Sequence, residues 1–234
     1  MANHYSDMGI EVEGEEAFND FINDIYESAT PNHFKFGSYL HYDYASQISF
    51  DLIVDDKKQI RDVFFHYDTN HKNDVVISEI LHDGDDKKFK NMLVVYPKPY
   101  IPIYLIVPNI HLYPKLIETD KIDIQIAAFV TVADTFSNKD QYLKVIEENG
   151  YKEETILPIG IMENKKISDT IICGKILEIE KRTNEVTNLD YYYLKVESKE
   201  VIFDVLASPE FIQLPLSKNK YFFGECFLSG KIKD

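Results

Sequence analysis

The sequence predicts an α+β protein, in which a mostly antiparallel sheet with about two helices is followed by a small all-β barrel. Two helical patterns are separated by a long run of short strand-like segments, and the last third of the chain has almost no helical pattern. The 234 residues are 44% hydrophobic and 13% aromatic, which is typical of a folded chain with a sizeable core. We therefore predict an acidic α+β domain at residues 1–160 and a barrel of the oligonucleotide/oligosaccharide-binding (OB) type at residues 167–234.

The first helix is predicted after Gly14, in the segment EEAFNDFINDIYESA. Its first turn is acidic, which the helix dipole favours. One face carries residues that recur at helical spacing, namely Phe18, Phe21, Ile22, Ile25 and Tyr26. A second helix is predicted within SNKDQYLKVIEENG, with Ser137 as its N-cap and Gly150 as its stop.

Strands are predicted for most of the remaining chain, because short alternating or apolar runs are bounded by turn residues. In the N-terminal part they cover residues 38–44, 48–54, 59–67, 74–81, 90–96, 101–107 and 122–132. In the C-terminal part the strand segments are TIICGKILEIEKRT, DYYYLKVES, EVIFDVLAS and KYFFGECFLSGKI. Four or five strands in so short a region fit a Greek-key barrel whose long first strand bends at Gly174.

The C-terminal segments GKILEIEKRTN (174–184) and GECFLSGKI (224–232), with the opening GIEVEGEEAF, resemble a family of uncharacterised bacterial proteins. Where that family carries tryptophan in the last motif, this chain has Phe227. The resemblance covers mainly the last third of the chain. It implies an OB-like C-terminal part and no particular activity.

Charge is unevenly distributed along the chain. The net charge is −15, and residues 168–234 contain 11 acidic and 9 basic residues, so −13 of the total falls on residues 1–167. Only two arginines are present, Arg61 and Arg182, which leaves little for bidentate phosphate recognition. Nucleic acid is therefore disfavoured as a partner.

The acidic N-terminal part suggests a non-catalytic protein–protein interaction module, in the manner of an inhibitor or immunity-type protein for a basic partner. The first alternative is an OB-type protein that binds single-stranded nucleic acid or a small ligand. In that alternative Tyr191, Tyr193 and Lys195 share the binding face of one strand. The opposite face of the same strand fills the core with Tyr192, Leu194 and Val196.

The tripeptide HYD occurs twice, beginning at His41 and at His66. Hairpin pairing that keeps apolar side chains together sets His41 opposite Asp51 and places His66 about 16 Å away. The two histidines are therefore not expected to bind one ion, and the repeat is interpreted as strand patterning.

The same register gives a second alternative, a metal-dependent hydrolase. It places His41, Asp51 and Asp62 in one row across the polar face of three strands, and a histidine with two carboxylates can hold a divalent ion. The competing interpretation is a solvated polar face in which His41 pairs with Asp51 alone.

Other signals argue against a cofactor and against a membrane. The chain has no Gly-rich phosphate loop, nucleophile elbow or CxxC motif, so we expect no cofactor and favour a protein that is not an enzyme. The first 16 residues lack the basic and apolar stretches of a secretory signal, and Cys173 and Cys226 lie in apolar, strand-like segments. A cytoplasmic protein without membrane contact is expected.

Overall fold

The computed structural model describes residues 4–82, 89–97, 101–162, 165–212 and 220–233. Within these ranges the chain forms two α-helices, thirteen strands and three short 3₁₀ helices, so the predicted α+β class is confirmed. Neither α-helix in this part of the chain has the length and apolar character needed to cross a membrane.

The N-terminal part forms a helix and a four-stranded antiparallel sheet. Helix α1 spans Gly14–Ser28, and it is followed by β1 (Thr30–Phe34), β2 (Gly37–Ala45), β3 (Ile48–Asp55) and β4 (Ile60–Tyr67). The strands pair in chain order, β1-β2-β3-β4. Strand β3 is buried at every position because both faces of this sheet are covered.

The remaining strands form one nine-stranded mixed sheet. Their bounds are β5 Asn73–Leu81, β6 Met92–Pro97, β7 Ile103–Ile106, β8 Lys121–Phe136, β9 Thr155–Pro158, β10 Asp169–Thr183, β11 Asp190–Ser198, β12 Val201–Ala207 and β13 Lys220–Lys233. The order is β11-β12-β8-β5-β6-β7-β13-β10-β9, with additional pairings β10–β11 and β8–β13. Helix α2 (Lys139–Glu148) lies between β8 and β9.

The additional pairings link these strands into two rings that share β8 and β13. One ring runs through β8, β5, β6, β7 and β13, and the other through β8, β12, β11, β10 and β13. Long strands make this sharing possible, since β8 has 16 residues and β13 has 14. A bulge at Thr131 of β8, opposite Glu225 and Cys226 of β13, lets the pair bend while it stays hydrogen-bonded.

The predicted C-terminal OB barrel is not confirmed. Strands β10–β13 do not close on themselves, because β8 from the N-terminal half pairs in parallel with β12 and antiparallel with β13. The predicted division between residues 160 and 167 therefore does not separate two sheets. The gap at the edge of the C-terminal strands is filled by a strand that precedes them in the chain.

The described residues form two large hydrophobic cores and two small ones. The largest one lies within the nine-stranded sheet and draws on both halves of the chain, with Leu105, Ile126, Phe203 and Leu228 fully buried. The second lies between α1, the first sheet and the outer side of β8, β11 and β12. There the ring of Phe65 meets that of Phe129 edge-on at 4.6 Å, so the first sheet is packed against the second.

The helix predictions are confirmed with one change, and two strands were not predicted. The N-cap of α2 is Asn138 instead of Ser137, and its side chain accepts hydrogen bonds from the backbone of Asp140 and Gln141. Strands β1 and β9 have no alternating apolar pattern, and β1 is exposed at four of its five positions.

Candidate functional site

The N-cap residue of α1 and one face of the helix carry five carboxylates, which we call the acidic stripe. Its members are Glu13, Glu16, Asp20, Asp24 and Glu27, and all five are exposed. Intervals of three and four residues align side chains along one side of a helix. The stripe is therefore a single negative surface about as long as the helix.

The acidic stripe lies in a sequence segment that has no lysine or arginine. Residues 1–34 contain eight acidic residues and neither lysine nor arginine. None of the five stripe carboxylates forms an ion pair with another described residue. Like charges three or four residues apart destabilise a helix, and Glu27 lies in the last turn, where the helix dipole disfavours an anion.

The opposite face of α1 fixes the direction of the stripe. Ile22 and Ile25 are buried against the first sheet. The ring of Phe21 meets Phe50 edge-on at 5.2 Å and Tyr44 edge-on at 5.6 Å. Because this aromatic cluster anchors the helix, the acidic stripe faces away from the sheet toward solvent.

The predicted pairing of His41 with Asp51 is confirmed. The two residues are cross-strand neighbours, and His41 Nδ1 lies 2.7 Å from Asp51 Oδ1. Tyr39 donates a second hydrogen bond of 2.7 Å to the same carboxylate. The hydrogen bond to Asp51 raises the pKa of His41, and burial together with the Asp51 charge raises the pKa of Tyr39.

The outer nitrogen of His41 is also occupied, since Nε2 lies 3.2 Å from Asp43 Oδ1. The imidazole is therefore held between two carboxylates, one buried and one exposed. A histidine held in this way stabilises the hairpin.

The predicted alignment of Asp62 with Asp51 is wrong. Asp51 lies opposite Phe64, and Asp62 lies opposite Ile53. Asp55 N–H donates to the Gln59 carbonyl, so the β3–β4 loop spans only residues 56–58, and a bulge at Arg61 of β4 shifts the register by one further residue. The described residues contain no group of three His, Cys, Asp or Glu side chains placed to hold a metal ion.

The second HYD copy has a different environment from the first. His66 is buried, with Nδ1 3.0 Å from Ser229 Oγ and Nε2 3.2 Å from Gln125 Oε1. These partners lie on β13 and β8, so His66 joins the two sheets. Burial lowers the pKa of His66 to about 4, and the imidazole is neutral at pH 7.

A buried carboxylate that the sequence did not reveal lies at Asp204 on β12. Its Oδ1 accepts from Tyr193 at 2.8 Å and lies 3.0 Å from His71 Nδ1. Its Oδ2 accepts from Thr69 at 2.5 Å and from Gln125 at 2.8 Å. Four partners satisfy this carboxylate, so the cluster joins three segments that are distant in the sequence.

The predicted binding face of β11 is covered. Tyr191 and Tyr193 are buried against the first sheet, and the Arg182 guanidinium lies 4.2 Å from the Tyr193 ring centre. Lys195 pairs with Glu178 at 3.6 Å. In this structure neither ring is open to a stacked base, because the first sheet occupies the face where a base would lie.

Three comparisons with known proteins found nothing similar: no family model, no curated protein and no solved structure matches the chain. The resemblance of the C-terminal motifs thus gains no support from a family model. Function has to be inferred from the charge and geometry of the chain itself.

Proposed function

We propose that the protein is a non-catalytic binding protein whose acidic stripe engages a basic surface on another protein, in the manner of an inhibitor. The observation that carries the proposal is the stripe itself: five exposed carboxylates on a packed helix and its N-cap, with no lysine or arginine in the first 34 residues. A cytoplasmic setting is part of the proposal, and both cysteines are buried free thiols.

The stripe suits electrostatic association. A cluster of like charge on one face concentrates a negative field there and speeds encounters with a cationic partner. Association steered in this way weakens as salt rises, because the Debye length falls to about 8 Å at physiological ionic strength.

The other polar clusters support a role in binding. Asp204 accepts hydrogen bonds from side chains of the fold, and both ring nitrogens of His41 are held by carboxylates of the fold. Their side chains hold strands and sheets together, which gives α1 a rigid base. A rigid, preorganised surface lowers the cost of ordering on binding.

The test is capture of partners from nuclease-treated native lysate on the tagged full chain, followed by elution at low and then high salt. A stripe variant carries Glu16→Gln, Asp20→Asn and Asp24→Asn. A control variant makes the same charge change on α2, with Asp140→Asn, Glu147→Gln and Glu148→Gln, all of which are exposed.

We expect a basic protein to be retained by the wild type and the control variant, to elute as salt rises, and to be lost by the stripe variant. Retention of the same proteins by all three chains would contradict the proposal, as would a partner whose elution does not depend on salt. Circular dichroism spectra verify that all three chains are folded.

A further inference from the structure

A cavity of about 220 Å³ lies on the opposite side of the first sheet from α1. It is formed where the end of β1 meets the 3₁₀ helix Pro108–Leu112 and the turn that follows it. Most of its wall is apolar or aromatic, with contributions from Phe34, Phe36, Ile80, Ile110, Pro114 and Leu116. Pockets for small ligands have this character, a largely apolar wall with a few polar groups.

One polar group in the wall, on His111, has no hydrogen-bond partner in the part of the chain that the structure describes. The imidazole of His111 stacks on Phe34 with the ring centres 4.2 Å apart, and its Nε2 is buried without a hydrogen-bond partner among the described residues. Burial lowers the pKa of His111 to about 4, so the ring is neutral at pH 7. An unpaired buried nitrogen destabilises the fold, and a ligand atom that hydrogen-bonds to it would remove that cost.

The described lining residues with a charged side chain are two lysines, opposite in sign to the net charge of the chain. Lys35 and Lys90 line the cavity, both are exposed, and neither pairs with a described carboxylate. Among the described residues the lining contains no aspartate or glutamate, although the chain has 40 acidic residues. Two lysines beside an apolar cavity are suited to an anionic group on an apolar body.

The volume of the cavity limits the size of a ligand that it can hold. A cavity of about 150 Å³ in another protein holds one benzene molecule. The larger cavity found here has room for one six-membered ring with a small substituent, and its aromatic wall favours an aromatic ring.

We propose that this cavity binds a small carboxylate with a single aromatic ring. The ring packs against Phe34 and the apolar wall, the carboxylate faces Lys35 and Lys90, and a polar ring substituent pairs with His111 Nε2. The site is separate from the acidic stripe, so either assignment can fail while the other stands.

Isothermal titration calorimetry of the full chain with benzoate tests the proposal. Benzyl alcohol supplies the ring without the charge, and acetate supplies the charge without the ring. We expect benzoate to bind with a Kd in the millimolar range or below, and both other probes to bind at least about tenfold more weakly.

Two lysine variants locate the site. Lys35→Gln with Lys90→Gln should weaken benzoate binding roughly fivefold, since each exposed ion pair contributes little. Lys57→Gln with Lys58→Gln makes the same charge change in the β3–β4 turn and should leave binding unchanged. An equal loss in both variants would overturn the assignment.

His111→Phe tests the polar end of the cavity. In the wild type at least one of the three hydroxybenzoate isomers should bind more tightly than benzoate, and the variant should lose that preference while it still binds benzoate. The proposal is overturned if benzoate gives no binding up to about 20 mM, where millimolar affinity would be evident, or if benzyl alcohol binds equally well. It is also overturned if no hydroxyl group improves binding to the wild type.

Discussion

The buried carboxylate of Asp51 has two hydrogen-bond partners, the Tyr39 hydroxyl and His41 Nδ1. Asp204 is held in the same way by four partners. A buried charge without partners would cost several kcal/mol, so these side chains determine how the strands can pack. The two histidines of the HYD repeat therefore differ: His41 stabilises a hairpin and His66 joins two sheets.

Replacement of Asp51 by Asn should lower the pKa of His41, because the hydrogen bond to this carboxylate is the largest cause of its rise. A raised histidine pKa stabilises the fold fully below the unfolded value of about 6.5, and this stabilisation is lost as pH rises through the folded pKa. The Asp51→Asn variant should lose that stabilisation. An NMR titration of the His41 ring measures the fall in its pKa. Asp43→Asn, at an exposed carboxylate, should have a much smaller effect, and an equal effect would contradict the assignment.

His66 should make the fold sensitive to acid. Its pKa is lowered to about 4, so the unfolded chain takes up a proton near pH 6.5 that the folded chain does not bind. The stabilisation that the neutral His66 imidazole gives to the fold is fully present above about pH 6.5. It is lost as pH falls toward 4, by roughly 3 kcal/mol in all. In urea titrations the His66→Gln variant should be less stable than the wild type at pH 7, with the difference shrinking at pH 4. A constant difference would show that His66 does not titrate in this way.

Sequence reasoning found the His41–Asp51 pair because strand alternation and a short hairpin loop determine which residues face each other. It misplaced Asp62, because no glycine marks the three-residue loop 56–58 or the bulge at Arg61. Asp204 was missed because its partners come from segments more than 50 residues apart.

Helix α1 combines two opposing effects. Its apolar face anchors it to the first sheet, while the acidic stripe destabilises it through repulsion within the helix. Asp20 has Glu16 four residues before it and Asp24 four residues after it. A surface that lowers stability in this way is typical of functional positions.

Asp20→Asn should therefore raise the free energy of unfolding by about 0.5 kcal/mol at low salt, since it removes two repulsive pairs. The gain should shrink at about 1 M salt, where the Debye length is about 3 Å. Urea denaturation at both salt concentrations measures it. Glu147→Gln on α2, three residues from Lys144, is the matched control and should give no gain. An increase in the free energy of unfolding that does not shrink at high salt would contradict the electrostatic explanation.

The sequence predicted both helices because their apolar residues repeat at helical spacing. It did not predict β1, where Pro31 and four exposed positions give no strand pattern, although the strand pairs fully with β2. The cavity beside β1 was missed for a related reason, because its wall comes from four segments that share no motif.

The whole molecule depends on β8 and β13, which belong to both rings of the second sheet. The parallel pairing of β8 with β12 joins residues about 77 positions apart, such as Ala127 and Asp204. No local pattern signals such a contact, so the sequence suggested a boundary at residues 160–167 that the nine-stranded sheet crosses.

The fragment 1–160 should therefore not fold alone. It lacks β10–β13, which leaves β8 without partners on one side and exposes the apolar core of the nine-stranded sheet. We expect the full chain to show a single urea transition by both circular dichroism and tyrosine fluorescence, and the fragment to show no cooperative transition. A fragment that unfolds cooperatively would restore the two-domain interpretation.

The measurement that bears most directly on the proposed function is the association rate constant of the captured partner, followed by stopped-flow across ionic strength. For the wild type we expect the rate to fall at least about tenfold between roughly 20 and 200 mM salt, with a shallower decline for the stripe variant. Rates that do not change with salt, or that change equally in both chains, would show that the acidic stripe does not guide binding.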